Sequence, residues 1–257
     1  MTKKRKYFIS LTVLITILST IAITVFMHER SGLSSAQTRS HDDAPTLDFE
    51  NEVAAKKTEA RKNKGIQFQG LGNPDGGKVI SELAAGVEPL PTNSHWWVGI
   101  SALPAKQSDV VVLGRVINRS AHLTADQTGI YSEFSVLVEQ VFKDSSGTVL
   151  VNRTIDVNRV GGNVRFASGK IQKYSIARQG MPLKASKYLF FLRRTDPNLV
   201  ILTGYEFLED RVEPLDGEDI EDSRAALPFA KYRGTNPSDL LKELRATISK
   251  SEKGDRQ

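Results

Sequence analysis

Residues 130–142 read IYSEFSVLVEQVF, and this stretch decides the fold class of the chain. Phe134, Val136 and Val138 occupy alternate positions, and most of the positions between them are polar. Successive side chains of a β-strand point to opposite faces, so a period of two is typical of a strand with one buried face. We therefore expect a strand here, with these three apolar side chains pointing into a core.

Stretches on both sides of this strand predict further strands. Residues 109–118 (DVVVLGRVIN), 154–160, 187–193 (with YLFFL) and 198–207 (NLVILTGYEF) are rich in β-branched, aromatic or alternating apolar residues. They follow one another without intervening helices, which favours an antiparallel barrel or sandwich. The prediction is a mainly β domain over residues 105–215, a small Greek-key barrel of the OB type. A seven-stranded immunoglobulin-like sandwich is the alternative.

Several of these segments carry a family resemblance. SDVVVLGRVI, the strand ending in VEQVFK, the pair Gly161 and Gly162, and PLKASKYLFFLRR followed by LTGYEF are the segments concerned. Together they resemble a recurrent bacterial extracytoplasmic domain that is similar in layout to the netrin/TIMP-like OB barrels. The resemblance covers roughly residues 105–215 and implies a fold but no activity. The chain lacks the terminal cysteines of animal TIMP domains, so no metal-chelating inhibitory role is implied.

The amino-terminal region predicts a membrane anchor. Residues 7–27, YFISLTVLITILSTIAITVFM, contain no charge, proline or glycine, and as a helix they would span about 31 Å, close to the hydrocarbon thickness of a bilayer. Residues 1–6 carry four cations, which predicts a cytoplasmic basic tail. We expect a single-pass protein of the cell membrane, with its amino terminus in the cytoplasm and its carboxy-terminal domain outside. The alternative is secretion after cleavage of a signal peptide near Ala36.

The segments that flank the β domain are more polar. Residues 28–77 predict a tether, partly helical or disordered, because they contain few large apolar groups. Residues 78–104 predict a short helix and a lead-in to the first strand. Residues 216–257 begin with an acidic turn, followed by a helix over 237–249 and a tail. Asn236 precedes a proline at the first helical position, a pattern typical of a helix start.

Composition excludes several classes of protein. The chain has 257 residues, a formal net charge of +5, 39% hydrophobic residues and no cysteine, which rules out disulfide-stapled, thiolate-metal and collagen-like proteins. His28, His41, His95 and His122 are isolated in sequence, without ligand spacing. Phosphate-loop, nucleophile-elbow and dinucleotide motifs are missing. We expect no cofactor, no metal and no nucleic-acid partner, and the balance is against an enzyme.

Charge distribution supplies one candidate site. Residues 151–195 hold ten cations and one acid, whereas residues 196–222 hold ten acids and one cation. One hypothesis is a basic face that binds an anionic envelope polymer, lipid headgroups or an envelope protein. The other is that cations and acids on neighbouring strands pair with each other. The candidate anion-binding residues are Arg153, Arg159, Arg165, Lys170, Lys173 and Arg178.

Trp96 and Trp97 are the only tryptophans and supply a second candidate site. Adjacent indole rings are typical of a buried wedge at a barrel end, or of a platform on which a sugar or a base stacks. These features predict an extracytoplasmic binding or interaction module of unknown ligand, held in the bilayer by residues 7–27. The alternatives are an envelope hydrolase without a recognisable motif and a structural subunit of a membrane complex.

Overall fold

The structure is a computed structural model, and the residues that it describes belong to one compact unit, residues 41–257. The predicted cytoplasmic tail and transmembrane helix lie outside the described residues. Within the described part, no helix is both long enough and apolar enough to cross a bilayer. The described residues are 44–55, 57–69, 80–82, 96–217 and 228–254.

The described residues are mainly β, with antiparallel pairing and a carboxy-terminal helix, as the sequence predicted. Nine strands and three α-helices are described, with one 3₁₀ turn at Pro228–Tyr232. The strands are β1 (Thr46–Asp48), β2 (Val110–Leu123), β3 (Ile130–Asp144), β4 (Thr154–Val160), β5 (Gly162–Arg165), β6 (Ile171–Tyr174), β7 (Lys187–Thr195), β8 (Asn198–Phe207) and β9 (Val212–Pro214). The helices are α1 (Phe49–Ala54), α2 (Glu59–Gln67) and α3 (Pro237–Gly254).

The larger sheet closes on itself. Its order is β4-β3-β2-β7-β8-β9, and β4 also pairs in parallel with β8 through Val157 and Asn158. The five strands β2, β3, β4, β7 and β8 therefore form a ring of pairings. The long β2–β3 ladder changes register next to Gly114, where an added Cβ would lie 2.6 Å from a methyl group of Val136. A glycine is needed there because the two strands approach so closely.

Two hydrophobic clusters lie on opposite sides of β7. Phe190 and Leu192 point into the ring with Phe134, and all three are fully buried, which confirms the inward position predicted for Phe134. Phe191 points to the other side, where it packs with Leu244 of α3. The continuous apolar run in β7 is explained by burial on both faces.

The amino-terminal segment differs from the prediction. β1 pairs in parallel with β5 in a second, three-stranded sheet of order β1-β5-β6. Leu47 and Phe68 are 5% and 2% exposed, so residues 46–69 belong to the domain, although the sequence predicted a tether over residues 28–77. These isolated apolar residues give no pattern of their own in the sequence, because the charged residues around them dominate the composition.

The carboxy-terminal helix follows the prediction, although it extends beyond the expected 237–249. The Asn236 side-chain oxygen accepts a hydrogen bond from the Ser238 backbone N–H at 2.9 Å, as a helix cap does. Leu240 and Leu244 are fully buried against the outside of the ring. Most of the predicted acidic turn, and most of the short helix expected after residue 78, lie outside the described residues.

Candidate functional site

Arg159 is fully buried and does not belong to a basic face, which corrects its assignment as a candidate anion-binding residue. It follows Val157 by two residues in β4 and therefore continues the inward side of that strand. Its guanidinium donates to the Asp216 carboxylate at 2.9 Å and to the Gly180 carbonyl at 2.6 Å. The period of two that predicted β4 could have placed Arg159 on the inward side of the ring of strands.

Asp216 completes a satisfied buried network. Besides Arg159, it accepts hydrogen bonds from the Thr203 hydroxyl at 2.8 Å and from the Gly180 backbone N–H at 2.9 Å. This pair joins the basic run to the acidic run, but Asp216 lies after the end of β9 and not on a strand next to β4, so it is not the pairing of neighbouring strands that the sequence suggested. Lys187 also forms an ion pair, but with Glu139 of β3, so the pairing is not confined to the two runs.

Three of the candidate cations lie together on one exposed hairpin. Arg165 of β5 is directly opposite Ile171 of β6, and Lys173 lies two residues further along on the same face. Lys170 lies in the turn, and all three cations are exposed. Asp48 pairs with Arg165 at 3.6 Å, but both side chains are about half exposed, so water screens this pair. We call Arg165, Lys170 and Lys173 the hairpin cations.

The other two candidate cations lie elsewhere. Arg153 is exposed on the turn between β3 and β4. Arg178 lies in the turn after β6, and its guanidinium carbon is 4.9 Å from the centroid of the Trp97 ring. The structure thus joins one member of the basic set to the tryptophan pair by a cation–π contact.

Trp96 is a structural wedge. Its indole N–H donates to the Ala177 carbonyl at 3.0 Å, which fixes the orientation of the ring. Phe229 stacks on it at a centroid distance of 6.1 Å, and the Arg159 guanidinium carbon lies 5.6 Å from its centroid. Because these groups already occupy the ring, Trp96 does not form the free stacking platform that was one of its two predicted roles.

A cleft of about 440 Å³ opens beside Trp96. Gln107, on its wall, uses its amide to hold the preceding loop, because it donates to the Gly99 carbonyl at 2.6 Å and accepts from the Ser101 backbone N–H at 3.2 Å. Arg193 is the exposed cation of this wall. The lining residues are Trp96, Val98, Gly99, Ile100, Gln107, Gln179, Arg193, Ile201 and Leu202.

His122 belongs to a polar cluster that sequence reasoning missed. The Ser120 hydroxyl lies 3.0 Å from its Nε2 atom, and a carboxylate oxygen of Glu52 lies 3.8 Å from its Nδ1 atom. The Arg61 guanidinium also contacts Nδ1. Glu52 and Arg61 lie 70 and 61 residues before His122 in the chain, so no local spacing could have revealed the cluster.

This cluster resembles a nucleophile, base and carboxylate, but its geometry serves a structural role. The Glu52 carboxylate is beyond hydrogen-bond distance of Nδ1, and Arg61 occupies that atom, so the imidazole is not oriented as a general base toward Ser120. Burial opposes ionisation of Glu52, but the nearby His122 imidazole and the positive charge of Arg61 outweigh it and hold the pKa of Glu52 below its ordinary value. The cluster fastens α1 and α2 to β2.

The described residues contain no candidate metal site. Among the described residues, no group of three or more histidine, aspartate or glutamate side chains is placed to hold a metal ion. Compared with models of protein families and with curated proteins, the sequence matches none.

Proposed function

We propose that this chain is a single-pass membrane protein whose OB-like barrel lies outside the cytoplasm and binds an anionic polymer of the envelope. The membrane topology in this proposal rests on the sequence of the amino-terminal residues. Residues 7–27 have the length and hydropathy of a spanning helix, and the four cations of residues 1–6 favour a cytoplasmic amino terminus.

The strand pairings support an OB-type Greek-key barrel. Along the ring, β2 pairs with β3 and β7, β3 pairs with β4, and β7 pairs with β8. The ring is closed by the parallel contact between β4 and β8. A five-stranded Greek-key barrel with one parallel closing contact is the layout expected for this class.

The hairpin cations carry the binding proposal. Arg165 and Lys173 are diagonal neighbours across the β5–β6 pair, so their backbones lie about 7–8 Å apart and their side chains share one face. Lys170 lies in the adjoining turn. Within the described residues, Lys170 takes part in no ion pair. Several exposed charges of one sign along a short hairpin fit a partner with repeated negative charges better than a single small anion, because each charge contributes little alone.

The test removes the hairpin charges and measures retention of a polyanion. The full chain in nanodiscs of zwitterionic lipid is titrated with polyphosphate. The triple variant Arg165→Glu, Lys170→Glu, Lys173→Glu should lose retention at physiological salt, while its melting temperature falls by no more than about 6 °C, since each of the three surface substitutions usually costs under about 0.5 kcal/mol. Unaltered retention by a folded triple variant would contradict the proposal.

A matched control separates this surface from overall charge. The variant Lys106→Glu, Lys184→Glu, Lys242→Glu changes the net charge equally at three exposed sites away from the hairpin. It should keep polyphosphate retention. Equal loss in both variants would mean that net charge, and not the hairpin, attracts the polymer. Retention by vesicles of anionic lipid, without retention of polyphosphate, would make lipid headgroups the partner instead.

A further inference from the structure

Helix α2 crosses the outside of the barrel and touches it with one side. Arg61, Lys64 and Gln67 are three residues apart, so they share one side of the helix. Lys64 forms an ion pair with Glu133 of β3, and Gln67 accepts a hydrogen bond from Asn198 of β8. Because β4 lies between β3 and β8 in the ring, α2 spans β4.

The barrel face beneath α2 is polar although it is covered. Asn158 of β4 is directly opposite Glu133, on the same face, and is fully buried. Its side-chain nitrogen donates to the Leu199 carbonyl at 3.1 Å, but its side-chain oxygen has no hydrogen-bond partner among the described residues. The hydroxyl of Thr195, whose carbonyl accepts from Gln67, is also buried without a partner there. Such atoms cost free energy while the face stays covered.

The middle of the helix is not built for permanent burial, although Arg61 and Phe68 hold its two ends to the barrel. Its large aliphatic residue, Ile66, is 55% exposed, so the apolar side chain faces water while charged ones face the barrel. The apolar contacts are at its end, where Phe68 stacks on Tyr131 at 4.9 Å, and at Gly65, which lies against Ala125. A helix held permanently on a core would present its apolar side to that core.

We propose that the outer face of β3, β4 and β8, defined by Glu133, Asn158 and Asn198, is an interaction surface that α2 occupies within the same chain. We call it the polar face. It fits a partner segment that presents a lysine or arginine together with a carboxamide side chain, as α2 does with Lys64 and Gln67. Helix α2 leaves the polar face while the barrel stays folded. This surface is separate from the hairpin cations and does not depend on their proposed role.

The first experiment locks α2 in place. The chain has no cysteine, and a Cβ at position 65 would lie 3.6 Å from the Ala125 Cβ, within the range of disulfides. The variant Gly65→Cys, Ala125→Cys in the full chain is compared in its oxidised and reduced forms by amide hydrogen exchange. Oxidation should slow exchange of residues 62–68 about tenfold or more and leave β3 and β8 unchanged. If these helix amides exchanged as slowly as the amides of the barrel strands in both forms, the proposal would be overturned.

The second experiment tests the chemistry of the partner. A labelled peptide of residues 57–69 is added to the full chain carrying Lys64→Glu, which places the carboxylate of its own helix against Glu133. The peptide should bind this variant more tightly than it binds the chain carrying Lys62→Glu, a matched change at an exposed position whose ion pair is with Glu59 in the same helix. A peptide that itself carries Lys64→Glu should not bind. Equal binding to both variants, or to the oxidised locked chain, would overturn the proposal.

Discussion

Replacing Arg159 with methionine tests whether the fully buried arginine of β4 stabilises the β domain. The substitution keeps an unbranched apolar side chain of similar length but removes the hydrogen bonds to the Asp216 carboxylate and the Gly180 carbonyl. Asp216 then keeps two hydrogen bonds, from Thr203 and Gly180, but loses its counter-charge. The variant therefore leaves a buried carboxylate without a cation.

The magnitude follows from the burial of both partners, whose side chains are 1% and 0% exposed. Breaking a buried ion pair by removing one partner costs about 3–5 kcal/mol. For a domain of this size each kcal/mol lowers the melting temperature by about 2–4 °C, so Arg159→Met should lower it by roughly 6–20 °C. Removing both charges with Arg159→Met and Asp216→Leu should restore most of the loss, because well-packed apolar residues often replace such pairs without net cost.

The assay is urea unfolding of the full chain in detergent, followed by tryptophan fluorescence and by circular dichroism. Trp96 lies against the Arg159 guanidinium, so the fluorescence reports on this site directly. The folded Arg159→Met variant should keep its retention of polyphosphate. A loss of stability below about 1 kcal/mol, which is typical of exposed positions, would refute the structural role. If the variant lost its retention of polyphosphate but kept its stability, Arg159 would belong to the anion-binding residues after all.

Four further predictions follow from other parts of the chain. Phe190→Ala, inside the ring, should cost about 3–5 kcal/mol in urea unfolding, and a loss under about 1 kcal/mol would mean a different strand register. Asn236→Ala removes a helix cap and should cost about 0.5–2 kcal/mol in the same assay, with no loss if the cap is dispensable. In intact cells, a membrane-impermeant maleimide should label Ser40→Cys but not Thr2→Cys, and the reverse pattern would invert the proposed topology. Burial raises the pKa of Glu52, but the nearby His122 and the cations around it hold that pKa below its ordinary value. The ionised form therefore stabilises the fold above about pH 4. The melting-temperature gap between the unmodified protein and Glu52→Gln should close as pH falls below that value, and a gap independent of pH would contradict this.

The β core could be predicted because its signal is local. The alternation of Phe134, Val136 and Val138 depends only on neighbouring residues, and the inward side of β3 follows from it directly. The run over residues 187–193 was identified as a strand for the same reason, although its burial on both faces required knowledge of α3. The cap at Asn236 was also predictable, since a helix start has its own short pattern.

The polar contacts could not be predicted because they join distant parts of the chain. Arg159 was read as part of a charge run, yet its partner Asp216 lies 57 residues away. His122 looked isolated because Glu52 and Arg61 come from the amino-terminal segment, which was predicted as a tether. That segment is rich in charge, and its docking depends on a few buried apolar residues such as Leu47. Composition averages over such residues and cannot reveal them.

The salt dependence of polyphosphate binding tests the central claim most directly. The affinity of the full chain for polyphosphate is measured in zwitterionic nanodiscs from about 0.01 M to about 1 M salt. Over this range the Debye screening length falls from about 30 Å to about 3 Å. Three contacts with a flexible polyanion predict a slope of about −2 in a plot of log affinity against log salt concentration. Reversal of Arg165, Lys170 and Lys173 to glutamate should bring that slope close to zero. An unmodified protein with a slope near zero, or a slope that the reversal leaves unchanged, would contradict the claim that the hairpin cations bind the polymer.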